Sequence, residues 1–318
     1  MHFPTDLNLL RDACRKTVEI AGAAASELGA TLWRQQQYLL RTLTKRYHAA
    51  RRLKHSTASS ESRRAAKAGQ MDDAWLAYIH HCKHILVKGH ITLSLLKKKS
   101  VKDSEQKQLK WFIQQGVRQV DLIMRRVLKD QVIPHHEKIF SLFEPHTEWI
   151  SKGKAGVPVE LGLRVCVLQD QLGFTLHHHV MVKETDDQVA VLMAKEAQKR
   201  FPAMNQTSYD KGFWSPANLA ELETFLERPV LPKKGRLSAT DKARENHLEF
   251  RRARRQHSAV ESDIHCLEVH GLDKCRDSGL VAFKCYTALA VVGNNLHRLG
   301  KLLLDKDRDK PPLLQRAA

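Results

Sequence analysis

In the first 130 residues apolar side chains recur at three- and four-residue steps, in four stretches. Leu9, Leu10, Ala13, Cys14, Val18 and Ala21 form the first stripe, opened by Thr5 or Asp6 as a helix cap. Leu32, Leu39, Leu40 and Leu43 form the second, on a helix expected over Glu27–Lys54. After a polar linker, Ser56–Ser62, two further helices are expected over Ala65–Leu96 and Asp103–Asp130. Trp75, Ile79, Cys82, Ile85 and Leu86 mark the core face of one. Trp111, Ile113, Val117, Val120, Ile123 and Val127 mark that of the other. The pattern predicts a four-helix array.

The period changes at Pro134. Ile139–Phe143 reads as a short β-prone run, and Ser151–Gly156 as a basic, glycine-bearing turn. Val159–Leu168 and Phe174–Val182 alternate as strands do, with Val165, Val167, Leu176, Val180 and Val182 in step. Asp170–Gly173 supplies a hairpin turn between them. A helix over Asp186–Arg200 is closed by Phe201-Pro202. A β-prone run, Gln206–Tyr209, then ends on Asp210, and Ser215-Pro216 opens a helix reaching Leu226. Pro229–Leu231 is extended, and Lys233–Arg236 is a basic loop. Asp241–Leu267 reads as one long helix, and Gly279–Leu304 as the last. The expected organisation is a basic helical segment over 1–133, a mixed α/β core over 134–304 and a tail over 305–318.

Charge refines this picture. The 318 residues carry a formal net charge of +18 with a pI near 9.7, which points to a polyanionic partner. Residues 1–130 hold 25 Lys and Arg against 11 Asp and Glu, whereas residues 131–318 hold 28 against 24. The basic surplus therefore sits on the helical array and the acids concentrate beyond it. The six cysteines show no Cys-x-x-Cys pair, which argues against a zinc knuckle. No signal-like start or membrane-length apolar run is present, so a cytosolic, nucleoid-associated protein is expected. His80, His81 and His84 read as helix surface. His177, His178 and His179 alternate across a strand and cannot converge on one ion.

The candidate chemistry rests on two acids. Asp210 ends a strand just before a helix, where open α/β sheets place their sites. Glu261 follows Arg251, Arg252, Arg254 and Arg255 on a basic helix. Converging carboxylates are the ligands hard divalent cations require for phosphodiester chemistry.

Several segments, in this order, resemble the DDE transposases of bacterial insertion sequences, with an ISNCY-like branch the nearest. They are His2–Leu10, Phe140–Thr147, Lys152-Gly153-Lys154, Tyr209–Phe213, Ser258–Ser262, His270–Asp273 and Asn294–Gly300. The resemblance implies a ribonuclease-H-like catalytic domain that cleaves DNA and transfers strands in DNA transposition with two Mg²⁺ or Mn²⁺ ions. Asp210 and Glu261 would be catalytic metal ligands. Lys152, Lys154, Arg251, Arg252, Arg254 and Arg255 would contact phosphates of element ends or target, with a homodimer on DNA. In that family the first catalytic Asp lies on a strand ahead of the Phe3-Pro4-Thr5-Asp6 run. The expectation here is an N-terminally truncated copy lacking that strand and ligand, with little strand-transfer activity. The competing reading is a non-enzymatic basic helical nucleic-acid-binding protein.

Overall fold

The computed structural model describes residues 4–308 apart from 28, 30, 54–58, 99–102, 152–158 and 258; of Lys98, Ala259 and Glu261 only the backbone is described. The chain divides into two compact units, residues 1–147 and 148–318. Both α and β structure are present, mostly helix with small two-stranded sheets.

The first unit is built on α1 (Asp6–Glu27), α2 (Gln36–Arg52), α3 (Glu61–Lys98) and α4 (Asp103–Ile123), the expected four helices. Thr5 is the cap of α1, its hydroxyl oxygen accepting the Asn8 N–H at 3.2 Å; Asp6 instead pairs with Arg126 at 3.0 Å. The stripes read from the sequence converge on one core containing Leu10, Cys14, Val18, Leu43, Tyr78, Ile85, Leu109 and Ile123. Two of its polar side chains are paired: the Tyr78 hydroxyl donates to the Leu7 carbonyl at 3.0 Å, and Trp33 Nε1 to Thr92 Oγ1 at 2.8 Å. The helices approach closely at glycines. A Cβ on Gly89 of α3 would lie 2.5 Å from Thr17 Cγ2 of α1, and one on Gly116 of α4 would lie 2.6 Å from Leu86 Cδ2.

Two expectations in this unit are corrected. The second helix starts at Gln36 rather than Glu27, because Thr31–Trp33 forms a separate 3₁₀ turn that buries Trp33. Ile139–Phe143 is not a strand: Leu142 is buried against Leu9, Ala13 and Phe112, and Trp111 Nε1 donates to its carbonyl at 3.0 Å. Residues 134–147 belong to the first unit, with Arg125 on the Glu137 carboxylate at 2.5 Å.

Among the described residues the second unit holds three separate pairs of strands. β1 (Glu148–Ser151) and β2 (Val159–Gly162) are antiparallel, as are β3 (Arg164–Gln169) and β4 (Thr175–Met181). The expected strand over Val159–Leu168 thus divides at Leu163 between two partners. The β3–β4 turn is tied by Asp170 Oδ1, which accepts the N–H groups of Leu172 and Phe174, both at 2.9 Å, with Gly173 at φ 82°. α5 (Asp186–Arg200) buries Val189 and Met193 against Cys166 and Met181 of the hairpin. It also buries Ala190 and Ala194 against Tyr209, Leu222 and Leu231.

β5 (Gln206–Ser208), α6 (Pro216–Leu222) and β6 (Arg228–Val230) form a βαβ unit whose strands are parallel. α5 therefore lies over both the hairpin and the parallel pair, yet β3 and β5 have no ladder between them. The single long helix expected over Asp241–Leu267 is broken at His247: α7 (Ala239–Asn246) precedes it, and α8 (Leu248–His257) and α9 (Ala259–Leu267) follow, on either side of residue 258, which lies outside the described residues. His247, at φ −57° and ψ 139°, turns the chain between the first two. α7 is anchored to the preceding loop by Lys233, whose Nζ reaches Asp241 at 2.5 Å, while Phe250 and Ala253 of α8 pack on Val230. Gly271, at φ 110°, separates α9 from α10 (Leu280–Arg308).

Candidate functional site

Asp210 follows β5 directly. The Tyr209 N–H donates to the Val230 carbonyl at 3.0 Å, so the parallel pairing fixes the backbone up to the acid. The Tyr209 ring is buried under α5, where its hydroxyl donates to the Ala190 carbonyl at 3.3 Å and burial pushes its pKa up to about 12. Beyond the acid the chain makes a 3₁₀ turn, Lys211–Phe213, with the Phe213 N–H on the Asp210 carbonyl at 3.1 Å.

Asn218 pins this turn. Its Nδ2 donates to the Phe213 carbonyl at 2.9 Å and to the Asp187 carbonyl at 2.7 Å, joining the turn to the start of α5. Ser215 caps α6 as its sequence suggested, accepting the Asn218 N–H at 3.1 Å. The backbone before and after Asp210 is thus fixed while its side chain stays 78% exposed.

The partner that reaches it is His257, the last residue of α8, with Nε2 at 3.2 Å from Asp210 Oδ1. Phe250, Ala253 and His257 recur at three- and four-residue steps, so the face that packs on the parallel strands also delivers the imidazole. Glu261 lies in α9, four residues beyond His257; its side chain lies outside the described residues. Two buried polar atoms flank the acid without a hydrogen-bond partner, Ser208 Oγ and Trp214 Nε1.

A second carboxylate, not singled out in the sequence, stands beside the turn. Asp186 opens α5, and a Cβ on Gly212 would lie 2.8 Å from its Oδ2. Arg164 of β3 binds its Oδ1 at 3.3 Å. Burial, and then this carboxylate, push the Cys166 thiol up to about 12. Asp186 and Gly212 could have been linked from sequence only by knowing that β5 runs alongside α5. His257 was visible only as one basic residue among several.

The remaining expected residues are dispersed. Arg251, Arg252, Arg254 and Arg255 all project from exposed positions of α8, and Arg254 reaches Glu245 at 3.9 Å. Lys152 and Lys154 lie outside the described residues. His179 binds Glu184 at 2.7 Å, which holds that carboxyl below its usual range, and His177 and His178 are lowered by burial. Among the described residues no group of three or more His, Cys, Asp and Glu could hold a metal ion. No helix among them is long and apolar enough to cross a membrane.

No family model, no curated protein and no solved structure matches this chain. The functional reading therefore rests on the residues themselves.

Proposed function

We propose that this chain acts on DNA through a carboxylate site at Asp210 and Glu261, as the resemblance to DDE transposases implies, on a ribonuclease-H-like core. One observation carries the reading. An exposed acid closes the first strand of a parallel βαβ unit, and the helix lying across those strands brings His257 to it four residues ahead of Glu261. The order of elements agrees: hairpin, covering helix, strand ending in an acid, helix, parallel strand, then helices carrying the second acid. The reading also requires one more strand, between β3 and β5. Neither of those strands has a partner on its second edge among the described residues, and one helix covers both. Unpaired edges of this kind accept a further strand.

The donor set suits a hard divalent cation. Asp210 offers carboxylate oxygens on an open side, and Mg²⁺ keeps several waters and substrate oxygens in its shell. Asp210 and Glu261 would hold the ion, which, when bound, activates the attacking oxygen and stabilises the leaving one. His257 orients Asp210 through Oδ1, and the arginines of α8 offset phosphate charge beside it.

A second reading rests on the first unit. Arg41, Lys45, Arg46 and Arg52 are exposed on α2, and none forms a salt bridge among the described residues. Such a row binds phosphate backbones without any chemistry.

Thermal unfolding with and without Mn²⁺ separates the two. Under the first reading Mn²⁺ raises the melting temperature of the wild type and not of Asp210→Asn. Under the second the ion has no effect on either, and duplex DNA affinity falls steeply with salt regardless of Asp210.

A further inference from the structure

α10 presents two opposite faces. Thr287, Ala290, Val291 and Asn294 are buried in the second unit. Asn295 brackets the start of β4, its Oδ1 accepting the Thr175 N–H at 2.9 Å and its Nδ2 donating to the Thr175 carbonyl at 3.0 Å. On the far side Cys285, Leu289, Val292, Leu296, Leu299 and Leu303 follow one another at steps of four, three, four, three and four residues. That is the spacing of a coiled-coil seam. All six are exposed, Leu289 at 70% and Leu296 at 63%.

We infer that this seam pairs with the same seam of a second copy of the chain. A heptad stripe is complementary to its own copy, since each knob meets a hole of matching spacing and the contact closes on a two-fold axis. Charge supports the same occupant. Between Cys285 and Leu303 the basic side chains His297, Arg298 and Lys301 lie off the seam and off the positions beside it, so this stretch offers nothing to a charged partner; Lys306, at the next seam position, marks its end. In a chain of net charge +18 it is also a neutral place where two copies can meet. Gly293 and Gly300 lie seven residues apart on one flank, and a Cβ on either would meet nothing within 4 Å. Glycines weaken a helix interior, and here they leave room for a partner backbone to come close.

Sedimentation velocity of the full chain over a range of micromolar concentrations tests this. The wild type should sediment as a reversible dimer. Leu296→Lys, on the seam, should be monomeric at every concentration. Leu304→Lys, at an equally exposed position off the seam, should remain dimeric. Far-UV circular dichroism of both variants should match the wild type, since the buried face of α10 is untouched. A wild type that stays monomeric would overturn the inference and leave the seam to another part of the chain or another protein. A dimer weakened equally by both lysines would overturn it as well.

Discussion

The close crossing of α1 and α3 makes a sharp prediction about one methyl group. In Gly89→Ala the new Cβ would fall 2.5 Å from Thr17 Cγ2 and 3.3 Å from two carbons of Ile113. Thr17 cannot swing aside: it is fully buried, β-branched, and its Oγ1 donates to the Ala13 carbonyl at 2.8 Å. Forcing an extra carbon into such a core costs about 1–3 kcal/mol. Replacing a helical glycine by alanine gains about 1 kcal/mol, so the net expectation is a loss of up to about 2 kcal/mol. Gly69 lies in the same helix with nothing within 4 Å of its Cβ position, so Gly69→Ala keeps only the gain, about 0.5–1 kcal/mol. The same substitution twenty residues apart should therefore have opposite signs. Urea unfolding followed by the fluorescence of Trp33, Trp75 and Trp111 reports on the first unit. Thr17→Ser removes only the clashing methyl and keeps the hydroxyl. In the Gly89→Ala background it should recover about 1 kcal/mol relative to additivity. A Gly89→Ala chain as stable as Gly69→Ala, or a serine that recovers nothing, would refute the argument.

Three further outcomes follow. Asn218→Ala should cost the second unit about 1–2 kcal/mol in urea unfolding read by Trp214, because two carbonyls, of Asp187 and Phe213, lose their donor. Asp241 is held well below the usual carboxylate range by Lys233 and then by Ser238. Its folded pKa lies under its unfolded value of about 3.9, so the stability it lends is full above that pH and drains away as the pH falls below it. The melting temperatures of the wild type and Asp241→Asn should accordingly draw together progressively as the pH falls below about 4. Thiol reagents near pH 8 should modify exposed Cys266 first. Cys166 and Cys14, both raised by burial, should react only on unfolding, as mass spectrometry of timed samples would show.

Periodicity made most of the elements legible. The four apolar stripes of the first unit supplied its core, apart from Val117, which is 55% exposed; the Asp170–Gly173 turn, the α5 boundaries and the Ser215-Pro216 start all correspond to observed elements. What failed was whatever depended on a distant partner. Ile139–Phe143 has strand-like side chains but no strand to pair with, and burial of Leu142 under Trp111 decides its path. The span from Asp241 to Leu267 contains no glycine or proline to announce a break. The break at His247 lies between two anchors, Asp241 on Lys233 and Phe250 on Val230. The tail was set to begin at Asp305, whereas α10 continues to Arg308; residues beyond it lie outside the description. At the site the sequence pointed to Asp210 through its place after a strand. His257 and Asp186 were invisible there, because their nearness depends on how α8 and α5 lie over the strands.

The central claim is that Asp210 and Glu261 share a divalent ion. Electron paramagnetic resonance titration with Mn²⁺ tests it without needing turnover, since bound ion leaves the free spectrum. The account predicts a saturable class of bound Mn²⁺ in the wild type that Asp210→Asn and Glu261→Gln each abolish. Binding that survives either substitution unchanged, or no saturable binding in the wild type, would contradict it.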